Sequence, residues 1–75
     1  MKSLYNLIKE KRIALGFKTK EIASLLSIDQ ALISKYENGK RLPTRDQVIK
    51  LSLILNIESH KLLVLYTKEL LLKYV

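Results

Sequence analysis

The sequence contains no cysteine, one histidine and one proline, and it contains only two glycines among 75 residues. The absence of cysteine excludes a disulfide framework and a thiolate metal site, and it agrees with a cytoplasmic location. His60 has no cysteine or cluster of acidic residues beside it, so we predict no metal site and no cofactor. Without a glycine-rich phosphate loop, or a nucleophile at a useful spacing from a base, the sequence indicates no enzyme.

Long apolar runs are also missing. The longest run, residues 62–66, is far too short to cross a bilayer, and the N-terminal segment carries charge throughout its apolar pattern, unlike a signal peptide. We therefore expect no membrane protein, and nothing indicates a small-molecule ligand. Because the chain is short, we expect a single domain, residues 1–75, with a modest core.

Positive charge is concentrated in the first part of the chain. The net charge is +7, and residues 1–45 hold ten Lys or Arg against four acidic residues, whereas residues 46–75 hold four against three. Such a concentration is typical of proteins that bind a polyanion such as nucleic acid. Charge alone agrees equally well with lysines that merely keep a small protein in solution.

The spacing of apolar residues predicts five helices and no strand. Asp29 is expected to cap the third helix, and Thr44 to form a capping box with Gln47 at the fourth. Gly16 and Asn56 are expected to end helices in the left-handed conformation. The predicted helices lie near residues 3–15, 18–26, 30–38, 45–55 and 59–75. The face that the first helix should bury consists of Leu4, Leu7, Ile8, Ala14 and Leu15. The core face of the fourth helix is predicted to consist of Val48, Leu51 and Leu55.

The second and third helices, with the short connection between them, favour a helix-turn-helix. Ile22 and Leu26 share one face of the second helix with the small Ala23, which lets another helix approach closely. Ser27 and Ile28 leave room only for a turn, so the two helices must cross steeply. An ordinary pair of antiparallel helices inside a small bundle fits the hydrophobic pattern equally well.

Three motifs keep a constant spacing along residues 3–63. They are KRIALGF at the end of the first helix, EIASLL in the second, and ISKYENGKRLP from the third onwards. Together they resemble the DNA-binding domain of the phage lambda and 434 repressor and Cro group, the Xre-type helix-turn-helix regulators. The resemblance implies a compact five-helix, lambda-repressor-like bundle with the helix-turn-helix at helices 2 and 3. It also implies sequence-specific binding of double-stranded DNA by a dimeric transcription regulator, a repressor.

In the resembled family the third helix enters the major groove with its N-terminus first. Gln30 can then pair with adenine N6 and N7, Ala31 can offer a methyl group to thymine, and Lys35 suits guanine or a phosphate. The expected base-contacting residues are Gln30, Ala31, Ser34 and Lys35. The expected phosphate-contacting residues are Lys18, Thr19, Asn38, Lys40, Arg41 and Arg45.

The resemblance further implies a structural ion pair between Arg12 and Glu37, which would join the first helix to the third. Two positions depart from the family pattern. Lys18 and Thr19 stand where the family usually has a capping Ser or Thr followed by Gln, so the cap of the second helix should be weaker. Ser27 occupies the turn position that is usually Gly.

The last helix, residues 59–75, carries apolar residues on two faces, and a helix of this kind is normally buried on both. We predict that one face packs inward and that the other forms a homodimer interface. The inward face is predicted to contain Leu63, Tyr66, Leu70 and Tyr74. The predicted dimer interface contains Val64, Leu65, Leu71, Leu72 and Val75.

The second apolar face of this helix agrees with two alternative arrangements as well. The chain can be a DNA-binding domain cut from a longer regulator, whose missing part covers the face, or the helix can lie on a membrane surface. From a different functional class, an antitoxin-like or adaptor module would use the basic surface to meet an acidic protein rather than DNA.

Overall fold

The computed structural model describes residues 3–73, and these residues form five helices and no strand. The helices are α1 (Leu4–Ala14), α2 (Thr19–Leu26), α3 (Gln30–Glu37), α4 (Arg45–Ile54) and α5 (Ser59–Lys73). The predicted all-α, five-helix bundle with the helix-turn-helix at α2 and α3 is therefore confirmed.

Local side-chain hydrogen bonds begin two of the helices as the sequence predicts. The carboxylate of Asp29 accepts the N–H of Ala31 at 2.8 Å. At α4, the hydroxyl of Thr44 accepts the N–H of Gln47 at 3.2 Å, and the Gln47 amide oxygen accepts the N–H of Thr44 at 3.1 Å. Each bond satisfies a backbone donor that the helix itself leaves without a partner.

Residues in the left-handed conformation follow α1 and α4, among other helices, and redirect the chain. Gly16 after α1 has φ +78° and Asn56 after α4 has φ +53°, as predicted. Phe17, which follows Gly16, returns to pack against the core. These turns let short connections join helices that cross one another, so that each helix contributes to a single core.

The core lies where all five helices meet. α4 packs along α5, α2 packs on α3 and on α4, and α1 contacts both α3 and α5. The predicted core face of α4 is buried as expected. The buried apolar residues are Leu4, Leu7, Ile8, Ile22, Ala23, Leu26, Ile33, Tyr36, Val48, Leu51, Leu55 and Leu62.

The buried face of α1 differs from the predicted one in its last turn. Ala14 is exposed and Leu15 is 46% exposed, whereas Lys11 and Arg12 of that turn are half-buried. The buried line follows steps of four residues, from Leu4 to Ile8 to Arg12, because crossing helices pack along such rows rather than parallel to the axis. The prediction that Ala14 and Leu15 are buried was therefore wrong.

The inward face of α5 also differs from the predicted one. Leu63 and Tyr66 pack against the core as predicted. Leu62, which the prediction left out, is fully buried, and Leu65 also packs against the core. Leu65 thus lies on the inner side of α5, so its assignment to the outer face was wrong. Tyr74 and Val75 lie outside the described residues.

Candidate nucleic-acid interface

The turn between α2 and α3 is short because Ser27 takes the left-handed conformation, with φ +57° and ψ +43°. Glycine usually fills such a position, and this serine adopts the same backbone shape. The N–H of Ile28 then donates to the carbonyl oxygen of Ala23 at 3.0 Å, which closes the turn. Ala23 is itself buried, and its small side chain lets α3 pack closely on α2.

At the start of α2, only one of the two hydrogen bonds of a capping box is formed. Lys18 occupies the N-cap position, and a lysine side chain has no acceptor to offer the helix. The carboxylate of Glu21 accepts the backbone N–H of Lys18 at 2.9 Å, which supplies the other half of a capping box. The weaker cap expected from Lys18 therefore agrees with the structure, and the exposed ammonium of Lys18 lies at this helix end.

A side-chain hydrogen bond joins the beginnings of α2 and α3. The amide nitrogen of Gln30 donates to the hydroxyl oxygen of Thr19 at 3.0 Å. The sequence prediction assigned these two residues to different roles and missed the contact between them. The signal available in the sequence was their position, since each is the first residue of one helix of the pair.

The residues predicted to contact bases lie on the exposed side of α3. Gln30, Ala31, Ser34 and Lys35 are all exposed, whereas Ile33 and Tyr36 of the same helix are buried. The helix therefore presents one polar face to solvent along its first two turns. Leu32 is half-buried and packs against the core.

The residues predicted to contact phosphates come from three segments of the chain. Lys18 and Thr19 lie at the start of α2, and Arg45 begins α4. The segment after α3 carries Asn38, Lys40 and Arg41. The carbonyl oxygen of Lys35 accepts the N–H groups of Lys40 at 2.9 Å and of Arg41 at 3.4 Å, so this segment folds back on the end of α3. Thr19 is half-buried, and the exposed members of the set are Lys18, Asn38, Lys40, Arg41 and Arg45.

Gly39 shapes the basic segment after α3. Its φ is +70°, and a Cβ atom placed there would lie 3.3 Å from Cδ2 of the Tyr5 ring. Glycine is thus required for two reasons, the left-handed backbone and the close approach of Tyr5 from α1. Burial, with the Glu69 carboxylate as a further cause, raises the pKa of Tyr5 above its ordinary value.

An ion pair holds the end of α3 against the end of α1. Arg12 donates from Nε to Oε2 of Glu37 at 2.6 Å and from Nη2 to Oε1 at 3.1 Å, and a third bond from Nη1 reaches the carbonyl oxygen of Phe17 at 2.8 Å. The side chains of Arg12 and Glu37 are 15% and 6% exposed. The two-point geometry orients the helices, while desolvation offsets much of the attraction.

A second buried contact, which the sequence did not predict, fixes α3 to α4. The hydroxyl of Tyr36 donates to the amide oxygen of Gln47 at 2.6 Å, the same oxygen that caps α4. Burial is the largest cause of the raised pKa of Tyr36. α3 is thus anchored on its inner side to α1 and α4 by side-chain hydrogen bonds, and its outer side is exposed.

The outer side of α5 presents a shallow groove. Val64 is 40% exposed, Leu71 63% and Leu72 71%, so three residues of the predicted dimer interface lie at the surface. Leu65 does not join them, and Val75 lies outside the described residues. The groove is lined by His60, Leu63, Val64, Thr67 and Lys68.

Within residues 3–73, no group of three or more His, Asp or Glu side chains is arranged to hold a metal ion. No helix in this part of the chain is long and apolar enough to cross a membrane.

The packing of α2 on α3, the short turn between them and the exposed face of α3 define a helix-turn-helix protein. A family model described as a helix-turn-helix domain matches residues 5–68 of the chain. The chain belongs to this family of Xre-type, lambda-repressor-like domains. A comparison with curated proteins finds no significant match. Membership of the family indicates DNA binding by a regulator.

Proposed function

We propose that this chain is a transcription regulator that binds double-stranded DNA sequence-specifically as a homodimer, and that it acts as a cytoplasmic repressor without enzymatic activity. The observation that carries the proposal is the hydrogen bond from Gln30 to Thr19 at the exposed beginning of α3. It orients an amide suited to reading a base at the end of the helix that enters the major groove first. Occupying a promoter represses transcription because it excludes the polymerase.

Gln30 has the donors and acceptor that adenine recognition needs while it is bound to Thr19. Its amide nitrogen carries two hydrogens, and one of them is donated to Thr19. The second can donate to adenine N7, and the amide oxygen can accept from adenine N6. Ala31, Ser34 and Lys35 then lie further along the same exposed face, where Ala31 suits a thymine methyl group and Lys35 suits guanine or a phosphate.

Phosphate contacts position the domain on the duplex without reading sequence. Thr19 supports base reading and also contacts phosphate. Its oxygen accepts a hydrogen bond from Gln30, while its hydroxyl hydrogen can donate to a phosphate. The net charge of +7 supports this arrangement. The remaining proposed phosphate contacts are Lys18, Asn38, Lys40, Arg41 and Arg45.

The homodimer would form through the outer side of α5, where Val64, Leu71 and Leu72 are exposed. A two-fold interface places the same surface of each copy against the other. The bound site should therefore be a near-palindrome, with half-sites about one helical turn, or a small multiple of it, apart.

The test begins with selection of bound sites from a pool of random duplexes. On the selected site, Gln30→Ala should cost about 1–3 kcal/mol of binding free energy and relax preference at one base pair in each half-site. Arg41→Ala is the matched control, because loss of a phosphate contact should weaken binding to every sequence alike.

Competition between the selected site and singly substituted sites measures both effects. Uniform weakening of all sites by Gln30→Ala would contradict the proposed docking of α3. If the wild-type protein binds no duplex at low salt, the DNA-binding proposal itself fails.

A further inference from the structure

Three of the proposed phosphate contacts lie together in the connection from α3 to α4. Asn38, Lys40 and Arg41 are all exposed, and we call residues 38–43 the basic segment. A phosphate contact holds the domain on the duplex only if its donor has a fixed place relative to the helix in the groove. A connection that is already held in place loses less entropy on binding, so it contacts phosphate more strongly. What holds the basic segment therefore matters for DNA binding.

Contacts at its two ends join the basic segment to α3 and to the core. The carbonyl oxygen of Lys35 accepts the N–H of Lys40 at 2.9 Å and that of Arg41 at 3.4 Å, and Pro43 is fully buried at the other end. Gly39 has φ +70°, and a glycine backbone adopts positive and negative φ about equally well. Because Gly39 does not restrict its own conformation, a neighbouring group has to restrict it.

The ring of Tyr5 is such a neighbour. A Cβ atom placed on Gly39 would lie 3.3 Å from Cδ2, 3.5 Å from Cε2 and 3.8 Å from Cγ of Tyr5. Adjacent atoms of the ring thus face the glycine, so one edge of the ring covers it. A different backbone conformation at Gly39 would press the segment into the ring or carry it away, and either change would lose the packing.

Tyr5 can restrain the segment because it is itself restrained. It is the second residue of α1, after the fully buried Leu4, and the capping hydroxyl of Ser3 accepts the N–H of Asn6 at 3.2 Å. The half-buried ring packs against the core. Burial is the largest cause of the raised pKa of Tyr5, and the charge of Glu69 on α5 and a hydrogen bond to it also raise this pKa. The ring thus joins α1 and α5 to the basic segment.

We infer that Tyr5 is a positioning residue for DNA binding, whose ring fixes the basic segment through Gly39. Fixed in this conformation, the segment presents Lys40 and Arg41 to the phosphates. Tyr5 itself is given no contact with DNA. The inference rests on the proposed function, because it concerns the phosphate contacts of that site. It adds that α1 and α5, which lie outside the helix-turn-helix, control how firmly the domain holds the DNA backbone.

The first experiment needs no DNA. Amide hydrogen exchange of the free protein, followed by NMR, measures how often the hydrogen bond from the N–H of Lys40 to Lys35 opens. Tyr5→Ala should raise the exchange rate of this N–H at least about tenfold relative to the buried amides of α3. Tyr66→Ala is the matched control, since Tyr66 is another half-buried tyrosine that packs against the core. It should leave the relative rate unchanged.

The second experiment measures binding to the selected duplex as a function of salt. Each phosphate contact contributes about 0.9 to the slope of the logarithm of the binding constant against the logarithm of salt concentration. Tyr5→Ala should reduce the magnitude of this slope by about 1–2, because contacts of the basic segment are lost. It should also weaken binding to every sequence alike, at least about tenfold, the size of one hydrogen bond to a charged group. A changed base preference would mean that Tyr5 acts on α3, and would contradict the inference.

Two further substitutions at the same position separate positioning from folding. Tyr5→Phe keeps the ring and removes only the hydroxyl, so affinity and salt slope should stay close to those of the wild type. Tyr5→Leu keeps an apolar side chain on the core without the flat ring, so it should reproduce the smaller slope, and it replaces Tyr5→Ala if alanine unfolds the protein. Circular dichroism identifies the folded variants. A wild-type slope in folded Tyr5→Leu would overturn the role of the ring.

A double-mutant cycle tests whether Tyr5 acts through the basic segment. Arg41→Ala should weaken binding less in the Tyr5→Leu background than in the wild type, because the contact of Arg41 is already partly lost there. Arg45→Ala is the control, since Arg45 begins α4, outside the segment. Its effect should be the same in both backgrounds.

The outcomes separate the inference from the proposed function. Additive effects of Tyr5→Leu and Arg41→Ala, or an unchanged exchange rate at Lys40, would overturn the inference. The proposed function would still stand, provided that the wild type binds the selected duplex. Failure of the wild type to bind any duplex would overturn the proposed function, and the role of Tyr5 in DNA binding with it.

Discussion

The third helix, α3, and the last helix, α5, are held in the molecule by different means. Side-chain hydrogen bonds fix α3 at both ends and along its inner side: Gln30 to Thr19, Tyr36 to Gln47, and Glu37 to Arg12. α5 is positioned chiefly by apolar packing of Leu62, Leu65 and Tyr66 on the core.

The two kinds of contact constrain the two helices differently. Hydrogen bonds depend steeply on direction, so α3 is held at one orientation. Apolar packing depends on area rather than direction, so α5 can bury one side on the core and leave the other exposed. Breaking contacts in each region should therefore give effects of different size and kind.

The largest effect should come from breaking the ion pair of α3. Glu37→Ala leaves the guanidinium of Arg12, 15% exposed, without its carboxylate, and such a loss costs about 3–5 kcal/mol of the free energy of unfolding. Urea unfolding followed by circular dichroism measures it.

The control for that measurement replaces both partners. The double variant Arg12→Met/Glu37→Leu removes the buried charge together with its partner, so it should be much more stable than Glu37→Ala. Equal destabilisation of the two variants would show that the pair acts through packing and not through charge.

A smaller effect should come from Gly39, where α1 meets the segment after α3. Gly39→Ala should destabilise the protein because alanine at φ +70° costs about 1–2 kcal/mol and its Cβ crowds Tyr5 in addition. Gly16→Ala is the matched control: φ is +78°, and nothing lies within 4 Å of the added Cβ.

Thermal or urea unfolding of the two glycine variants isolates the contribution of Tyr5. We expect Gly39→Ala to be the less stable of the two. Equal loss in both would mean that the Tyr5 ring moves aside without cost, and that α1 does not constrain the basic segment.

The smallest effect on stability should come from the outer side of α5. Leu71→Gln changes a side chain that is 63% exposed, so the free energy of unfolding should change by no more than about 0.5 kcal/mol. Leu62→Ala, on the buried side of the same helix, should cost about 2–5 kcal/mol. If Leu71→Gln destabilised the monomer as strongly as Leu62→Ala, the assignment of the two faces of α5 would be wrong.

Much of the fold follows from the sequence because its signals are local. A cap such as Asp29, or the box of Thr44 and Gln47, is complete within three residues, so the residue types alone predict where α3 and α4 begin. Left-handed residues such as Gly16 and Asn56 end helices for equally local reasons. Each of these predictions is confirmed.

In the candidate site too, the features that depend on local signals follow from the sequence, and those that depend on the packing of two helices do not. The exposure of Gln30, Ser34 and Lys35 follows from the helical period of α3, with Ile33 and Tyr36 as its buried side. The bond from Gln30 to Thr19 joins two helices and depends on their crossing, so the spacing of residues within either helix did not predict it.

The sequence by itself determined the five helices, the turn of the helix-turn-helix and the buried side of α4. Only the tertiary structure decided that Arg12 rather than Leu15 fills the last inward position of α1, and that Leu65 faces the core. The physical reason is that a helix with apolar residues on several sides has several possible buried faces. The crossing angles of the neighbouring helices select one of them, and those angles are a property of the packed molecule.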